Sequence, residues 1–179
     1  MLSMVVEKSK LGLVHVYTGE GKGKTSAGMG LVVRALGRGL KVKIIQLFKR
    51  NTGEQFFFKN LTIEYLQFGL VHPYFKNYEK AEKEDLKKQL RFFLEEAVKN
   101  LNEYDVVLID EFGPGINWDI IDLKFAISII ENKPEKTELI LTGRDIPQEI
   151  INLADYVSEI KKIKHPYEKG ILAREGIEF

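Results

Sequence analysis

The stretch Gly19-Glu20-Gly21-Lys22-Gly23-Lys24-Thr25 sets three glycines and two lysines in seven residues and closes on a threonine. Glycines let the backbone turn through positive φ and leave room for a bulky anion against peptide N–H groups. Where such a turn opens a helix, the helix N-terminus adds partial positive charge. The chemistry this suits is a grip on nucleotide phosphates, with Lys24 against phosphate oxygens and the Thr25 hydroxyl helping to hold Mg²⁺. The spacing is unusual, because the common loop separates its glycines by four residues. Here three residues separate Gly19 from Gly23, and Thr18 stands where the first glycine is expected. A glycine turn that merely joins two elements is the plain alternative. It explains neither Gly-Lys-Thr at a helix start nor two lysines crowded where only an anion relieves their repulsion.

A second group answers the first. Val106 to Glu111 reads "VVLIDE", an apolar run ending in two carboxylates. Such a run is the usual companion of a phosphate loop and brings Asp110 or Glu111 near the metal. Lys24 and Glu111 are the candidate catalytic groups, and Thr25, Asp110 and Glu111 the candidate ligands for Mg²⁺ or Mn²⁺. His15, His72 and His165 are scattered, with no spacing that joins them to a nucleophile or a metal. His15 falls within an expected strand and reads as a packed core or edge residue rather than a base. The chain thus offers phosphate and metal binding without a general base, which suits a reaction whose second substrate brings its own nucleophile.

The elements that must position these groups are legible from periodicity. Leu13 to Thr18 is a short buried strand, and Lys24 to Leu36 a helix stopped by Gly37-Arg38-Gly39. Val42 to Phe48 and Leu61 to Leu66 read as strands. Leu86, Leu90, Phe93, Leu94, Ala97 and Leu101 recur at helical steps, predicting one long amphipathic helix between Asn77 and Asn102. Asp105 to Ile109 suits a strand covered on both faces. A helix is expected over Asp119 to Glu131, a strand over Glu138 to Leu141, a short helix over Pro147 to Leu153, and edge strands from Tyr156 onward. Strands alternating with helices predict an α/β fold of three layers around a mostly parallel sheet, P-loop NTPase-like and of the RecA-like kind.

Composition narrows the class. A length of 179 residues suits one domain, expected over 13–179 behind a short N-terminal extension, 1–12. The net charge of +1 gives no global case for nucleic acid. The absence of cysteine removes disulfides, thiolate metal sites and a cysteine nucleophile together. Without an apolar run of signal or membrane-spanning length, the expectation is a cytoplasmic protein with no membrane partner.

The chain resembles the ATP:cob(I)alamin (corrinoid) adenosyltransferases that carry a phosphate-binding loop. "TGEGKGKT" is similar to that family's T-G-[ND]-G-K-G-K-T, three-residue spacing included. The resemblance continues through "RALGRG" from Arg34, "VVLIDE", "LTGRDIPQEIINLADYVSEI" from Leu141 and "KHPYEKGILAREGIEF" from Lys164. It implies that ATP lies reversed in the loop, and that cob(I)alamin or cobinamide, reduced to Co(I), attacks the ribose 5′ carbon and expels triphosphate. It further implies that Gly19, Glu20, Gly21, Lys22, Gly23, Lys24 and Thr25 bind the triphosphate. Thr25 with Glu111 or Asp110 would serve the metal. Arg34 matches an arginine near the nucleotide, with a helix-surface salt bridge as its plain alternative. Arg144 and His165 fall in matching blocks, their roles open between structure and site. A homodimer is implied, and an electron-donating flavoprotein is an admissible reductant.

The chain departs from the family at Gly69-Leu70-Val71-His72, where Gly-Phe-x-Trp is usual and its aromatics lie against the corrinoid. Leu70 and His72 take those positions, and Tyr74 and Phe75 follow within a few residues. These four are the candidate corrinoid-binding residues. The competing readings are a small P-loop NTPase that regulates a partner, with Glu111 activating water, and a non-enzymatic nucleotide-sensing module.

Overall fold

Six short segments pair into one sheet in a computed structural model that describes residues 7–69, 76 and 78–179. They are β1 (Val14–Thr18), β2 (Val42–Leu47), β3 (Glu64–Phe68), β4 (Val106–Asp110), β5 (Glu138–Thr142) and β6 (Tyr156–Glu159). Every pairing is parallel, and the spatial order is β3-β2-β4-β5-β1-β6. The helices are α1 (Lys24–Leu36), α2 (Gly53–Phe58), α3 (Lys80–Val98), α4 (Phe112–Asn117), α5 (Leu123–Glu131) and α6 (Gln148–Leu153).

The layers follow from strand alternation. On one side of β4, Val106 and Leu108 pack with Met29 and Val32 of α1. On the other, Val107 and Ile109 pack with Leu90 and Leu94 of α3 and Ala126 of α5. A strand covered on both faces favours apolar residues at every position, which is why Val106 to Ile109 read as an unbroken apolar run. Each such side chain, fully buried, contributes about 1.5–3 kcal/mol. The expected three-layer α/β arrangement is present, and the sheet is parallel throughout.

Several boundaries differ from expectation. The long helix is shorter at both ends, with a separate 3₁₀ turn over Leu101–Glu103. The strand expected from Leu61 begins at Glu64, where pairing with β2 starts in the register Lys43 to Glu64. Beyond Tyr156 only one edge strand forms, β6, followed by a 3₁₀ turn over Pro166–Lys169. The helix expected from Asp119 begins at Leu123, because the Asp122 side chain accepts the Phe125 N–H and caps it.

Helices α2 and α4 went unforeseen. The α4 sequence, FGPGIN, carries two glycines and a proline, all poor helix formers. Tertiary packing decides instead: a Cβ on Gly113 would lie 2.3 Å from the Arg144 carbonyl oxygen. Pro114 sits in the first turn, where its missing N–H costs no helical bond.

Candidate active site

The residue directly after each of the four inner strands takes positive φ: Gly19 (101°), Phe48 (56°), Glu111 (61°) and Gly143 (151°). For Phe48 and Glu111 the Cβ makes this conformation strained. All four turns lie at the carboxyl edge of the sheet, where open parallel sheets place their ligands.

The strand β1 delivers the glycine loop, and α1 starts from it with Gly23 in the capping position. Lys24 is only 8% exposed. Its Nζ folds back and donates to the carbonyls of Gly19 at 2.7 Å and Gly21 at 2.8 Å. Burial, together with the Arg144 guanidinium, pushes its pKa below the ordinary lysine value, while Glu111 and Glu20 oppose this. The loop N–H groups do not all face one point, as the sequence reading expects. That of Gly21 donates to the Ile160 carbonyl at 2.7 Å. A Cβ on Gly21 would stand 2.7 Å from the same oxygen, so only glycine admits the tail this closely.

The tail also meets the loop through charge. Lys22 Nζ lies 2.8 Å from Glu178 Oε1. Arg174 and Lys22 together hold the Glu178 carboxyl down at about 2. Glu20 pairs with Arg144 at 2.9 Å, which brings Arg144 to the loop.

The two sequence motifs meet at one hydrogen bond. Thr25 Oγ1 donates to Asp110 Oδ1 at 2.9 Å, joining the start of α1 to the end of β4. The intervening strand β5 supplies Thr142, whose hydroxyl donates to the same oxygen at 2.5 Å and accepts the Glu111 N–H at 3.2 Å. Asp110 is fully buried. Its Oδ2 accepts from Gln46 Nε2 at 3.1 Å and from Lys49 Nζ at 2.9 Å. Gln46 is oriented in turn by Tyr65 and Gln67, which donate to its Oε1 at 2.5 and 3.1 Å. Burial pushes the Tyr65 phenol up to about 12, so it remains a donor.

Lys49 is the centre that sequence reading missed. Its Nζ also donates to Thr25 Oγ1 and lies 3.0 Å from Glu111 Oε1. Burial opposes its charge, but the Asp110 and Glu111 carboxylates outweigh burial and raise its pKa above the ordinary lysine value. The only available signal was a cation just past an expected strand.

Thr25, Asp110 and Glu111 supply hard oxygens, the donor type that Mg²⁺ and Mn²⁺ prefer. Among the described residues no group of three or more His, Cys, Asp or Glu could hold an ion unaided.

Other candidates lie elsewhere. Arg34 is exposed in the last turn of α1, ten residues and so about 15 Å along the helix from Lys24. Among the described residues it makes no ion pair with the loop. His15 bonds Glu138 Oε1 at 2.6 Å and stacks on Tyr156, an edge-strand role. The His165 ring accepts the Tyr167 N–H and caps a 3₁₀ turn, a structural role for that residue. Leu70, His72, Tyr74 and Phe75 lie outside the described residues. Among the described residues, Tyr78 and Trp118 line a surface cavity of about 390 Å³ with Lys76, Lys83 and Asn117.

Comparison with known proteins extends this geometry. Residues 10–179 match the family model described as ATP:corrinoid adenosyltransferase BtuR/CobO/CobP. A corrinoid adenosyltransferase of Sinorhizobium sp. is 30% identical over 181 residues, covering 98% of this chain and 84% of its own length. Those of Escherichia coli K12 and Pseudomonas aeruginosa are 31% and 30% identical, covering 94% and 96% of this chain and 86% of their own lengths. A crystal structure of a DNA replication initiation factor overlaps 86% of this chain at 14% identity, with a TM-score of 0.39. This chain spans 41% of that one.

Proposed function

The chain belongs to the ATP:corrinoid adenosyltransferase family, and from that premise we propose how its own residues carry the reaction. The enzyme transfers the 5′-deoxyadenosyl group of ATP to the cobalt of a reduced corrinoid, cob(I)alamin or cobinamide. The cobalt electron pair forms the Co–C5′ bond as the C5′–O bond breaks, and triphosphate leaves with the electron pair of the broken bond. No protein base is needed. Our reading of the site rests on one observation, the 2.9 Å bond from Thr25 to Asp110 that brings loop and carboxylates together.

In this reading Gly19 to Thr25 receive the triphosphate. Lys24 leaves its two carbonyl partners to meet the phosphate oxygens, and Lys22 adds a second cation from the loop. Mg²⁺ or Mn²⁺ bound by Thr25, Asp110 and Glu111 would screen the charge that gathers on the leaving group. Rate enhancement is then positioning plus electrostatics. The corrinoid lies against the segment carrying Leu70, His72, Tyr74 and Phe75, and the Tyr78 and Trp118 cavity gives its edge an aromatic surface. We further assign residues 13–179 to one nucleotide-binding domain behind the extension 1–12, acting as a cytoplasmic homodimer. An electron-donating flavoprotein is a suitable reductant. The dimer is supported by apolar side chains exposed on β6 and the tail, among them Val157, Ile163 and Leu172. No helix among the described residues is long and apolar enough to cross a membrane.

The test is anaerobic incubation with ATP and chemically reduced corrinoid, following the corrinoid spectrum and the phosphate products. A Co–C bond with triphosphate is expected; ADP and phosphate without alkylation would overturn the reading. In the same assay Glu111→Gln should slow transfer and weaken its dependence on Mg²⁺, without trapping bound ATP as loss of a water-activating base would. Glu178→Gln should act oppositely. It releases Lys22 from its carboxylate partner, and since exposed pairs are weak, ATP affinity should rise about two- to fivefold. Unchanged affinity in calorimetric titration would leave Lys22 out of phosphate binding.

A further inference from the structure

We propose that Lys49 is a built-in stand-in for the divalent ion, its ammonium holding the place between Thr25, Asp110 and Glu111 until the ion arrives with ATP. This rests on the reading that those three side chains serve a divalent ion beside the triphosphate. An ammonium has three N–H donors and no acceptor. Here the three meet oxygens from two stretches of chain: the Thr25 hydroxyl at the start of α1, and, from adjacent residues, Asp110 Oδ2 at 2.9 Å at the end of β4 and Glu111 Oε1 at 3.0 Å in the turn beyond. These are the same hard oxygens that fit Mg²⁺.

Asp110 has no other vacancy. Thr25 and Thr142 occupy Oδ1, and Gln46 shares Oδ2 with Lys49. A divalent ion held by Thr25, Asp110 and Glu111 together must take the ammonium's place, because Lys49 Nζ already sits between their oxygens. The two cations do not share it, because like charges at contact repel by several kcal/mol. Lys49 starts just past the end of β2, and its freed ammonium has the incoming triphosphate as its new counter-charge. Two consequences follow. The liganding side chains are held in position without any metal, and the ion binds poorly unless nucleotide comes with it.

The test uses the full chain, with Mn²⁺ alone as the probe. Lys49→Met keeps the side-chain length and removes the charge. By electron paramagnetic resonance it should bind Mn²⁺ without nucleotide at least about tenfold more tightly than the wild type. Its thermal midpoint should rise with added Mg²⁺, whereas that of the wild type should not. Lys49→Arg, which keeps the charge, should bind Mn²⁺ alone as weakly as the wild type. A Lys49→Met protein that binds Mn²⁺ no more tightly than the wild type overturns the proposal. The wild type supplies a readout that does not depend on a variant folding without its charge. In lysine-selective ¹⁵N NMR, the Lys49 ammonium signal should be present without nucleotide and should shift when Mg²⁺ and ATP are added together, but not with ATP in chelator. A signal unmoved by both ligands together also overturns it. Neither readout involves corrinoid, so failure here is distinguishable from failure of adenosyl transfer.

Discussion

Lys24→Ala is expected to slow single-turnover adenosyl transfer by ~10²–10³-fold and to weaken ATP binding as well. The size follows from where the ammonium sits. Lys24 is buried at the helix start, and among the described residues its ammonium donates to two loop carbonyls, the oxygens of Gly19 and Gly21. Neutral carbonyls are weak partners for a buried cation, so burial lowers its pKa in the absence of nucleotide. In the proposed reading a triphosphate would replace them with full negative charge, which would grow as the C5′–O bond breaks. The contact is thus stronger in the transition state than in the ground state, the condition for acceleration. Rapid-quench single turnover at saturating ATP measures the rate, and titration calorimetry the affinity. Wild-type rates in the variant would remove Lys24 from the site.

The second large effect is on stability. Asp110→Asn is expected to destabilise the fold by about 3–5 kcal/mol, the usual result of removing one partner from a buried ion pair. Asp110 is fully buried and accepts from Thr25, Thr142, Gln46 and Lys49. An amide turns half of that acceptor set into a donor, which meets donors on whichever side it faces, and Lys49 keeps only Glu111 as an anionic neighbour. At ~2–4 °C per kcal/mol for a chain of this size, the thermal midpoint should fall by about 6–20 °C. Calorimetry decides it: a fall of only a degree or two, with urea midpoint unchanged, would mean that Asp110 is solvated and not the closed junction described here.

What could be read beforehand follows a physical division. The loop and the end of β4 were legible because their chemistry is local: glycines that must turn, a lysine at a helix start, an apolar strand closed by acids. Lys49 was not legible, since its role exists only where β2 and β4 pair side by side and bring Gln46 level with Asp110. Thr142 was hidden in the same way, because β5 had first to insert between β4 and β1. The α4 segment misled for the opposite reason. Its glycines and proline argue against a helix on propensity, yet close approach to the Arg144 carbonyl selects those small residues. At β3 every residue is half-buried, so no alternation marked where the strand starts. Arg34, matched by motif alone as an arginine near the nucleotide, stands about 15 Å along α1 from Lys24.

The position of β1 between β5 and β6 governs how the molecule must be made. The strand that carries the glycine loop leaves the ribosome first, yet its two neighbours in the sheet begin only at Glu138 and Tyr156. During synthesis, therefore, β1 waits with both edges bare while more than a hundred residues follow it. Pairings so distant in sequence form slowly, and unpaired strand edges are what chaperones shield and what aggregates recruit. A nascent chain halted before Tyr156 still has one of those edges open, and its loop lacks the Ile160 carbonyl that receives the Gly21 N–H. Closure of the glycine loop thus comes late in the chain's own manufacture, although the loop itself is made more than a hundred residues before the strands that flank it.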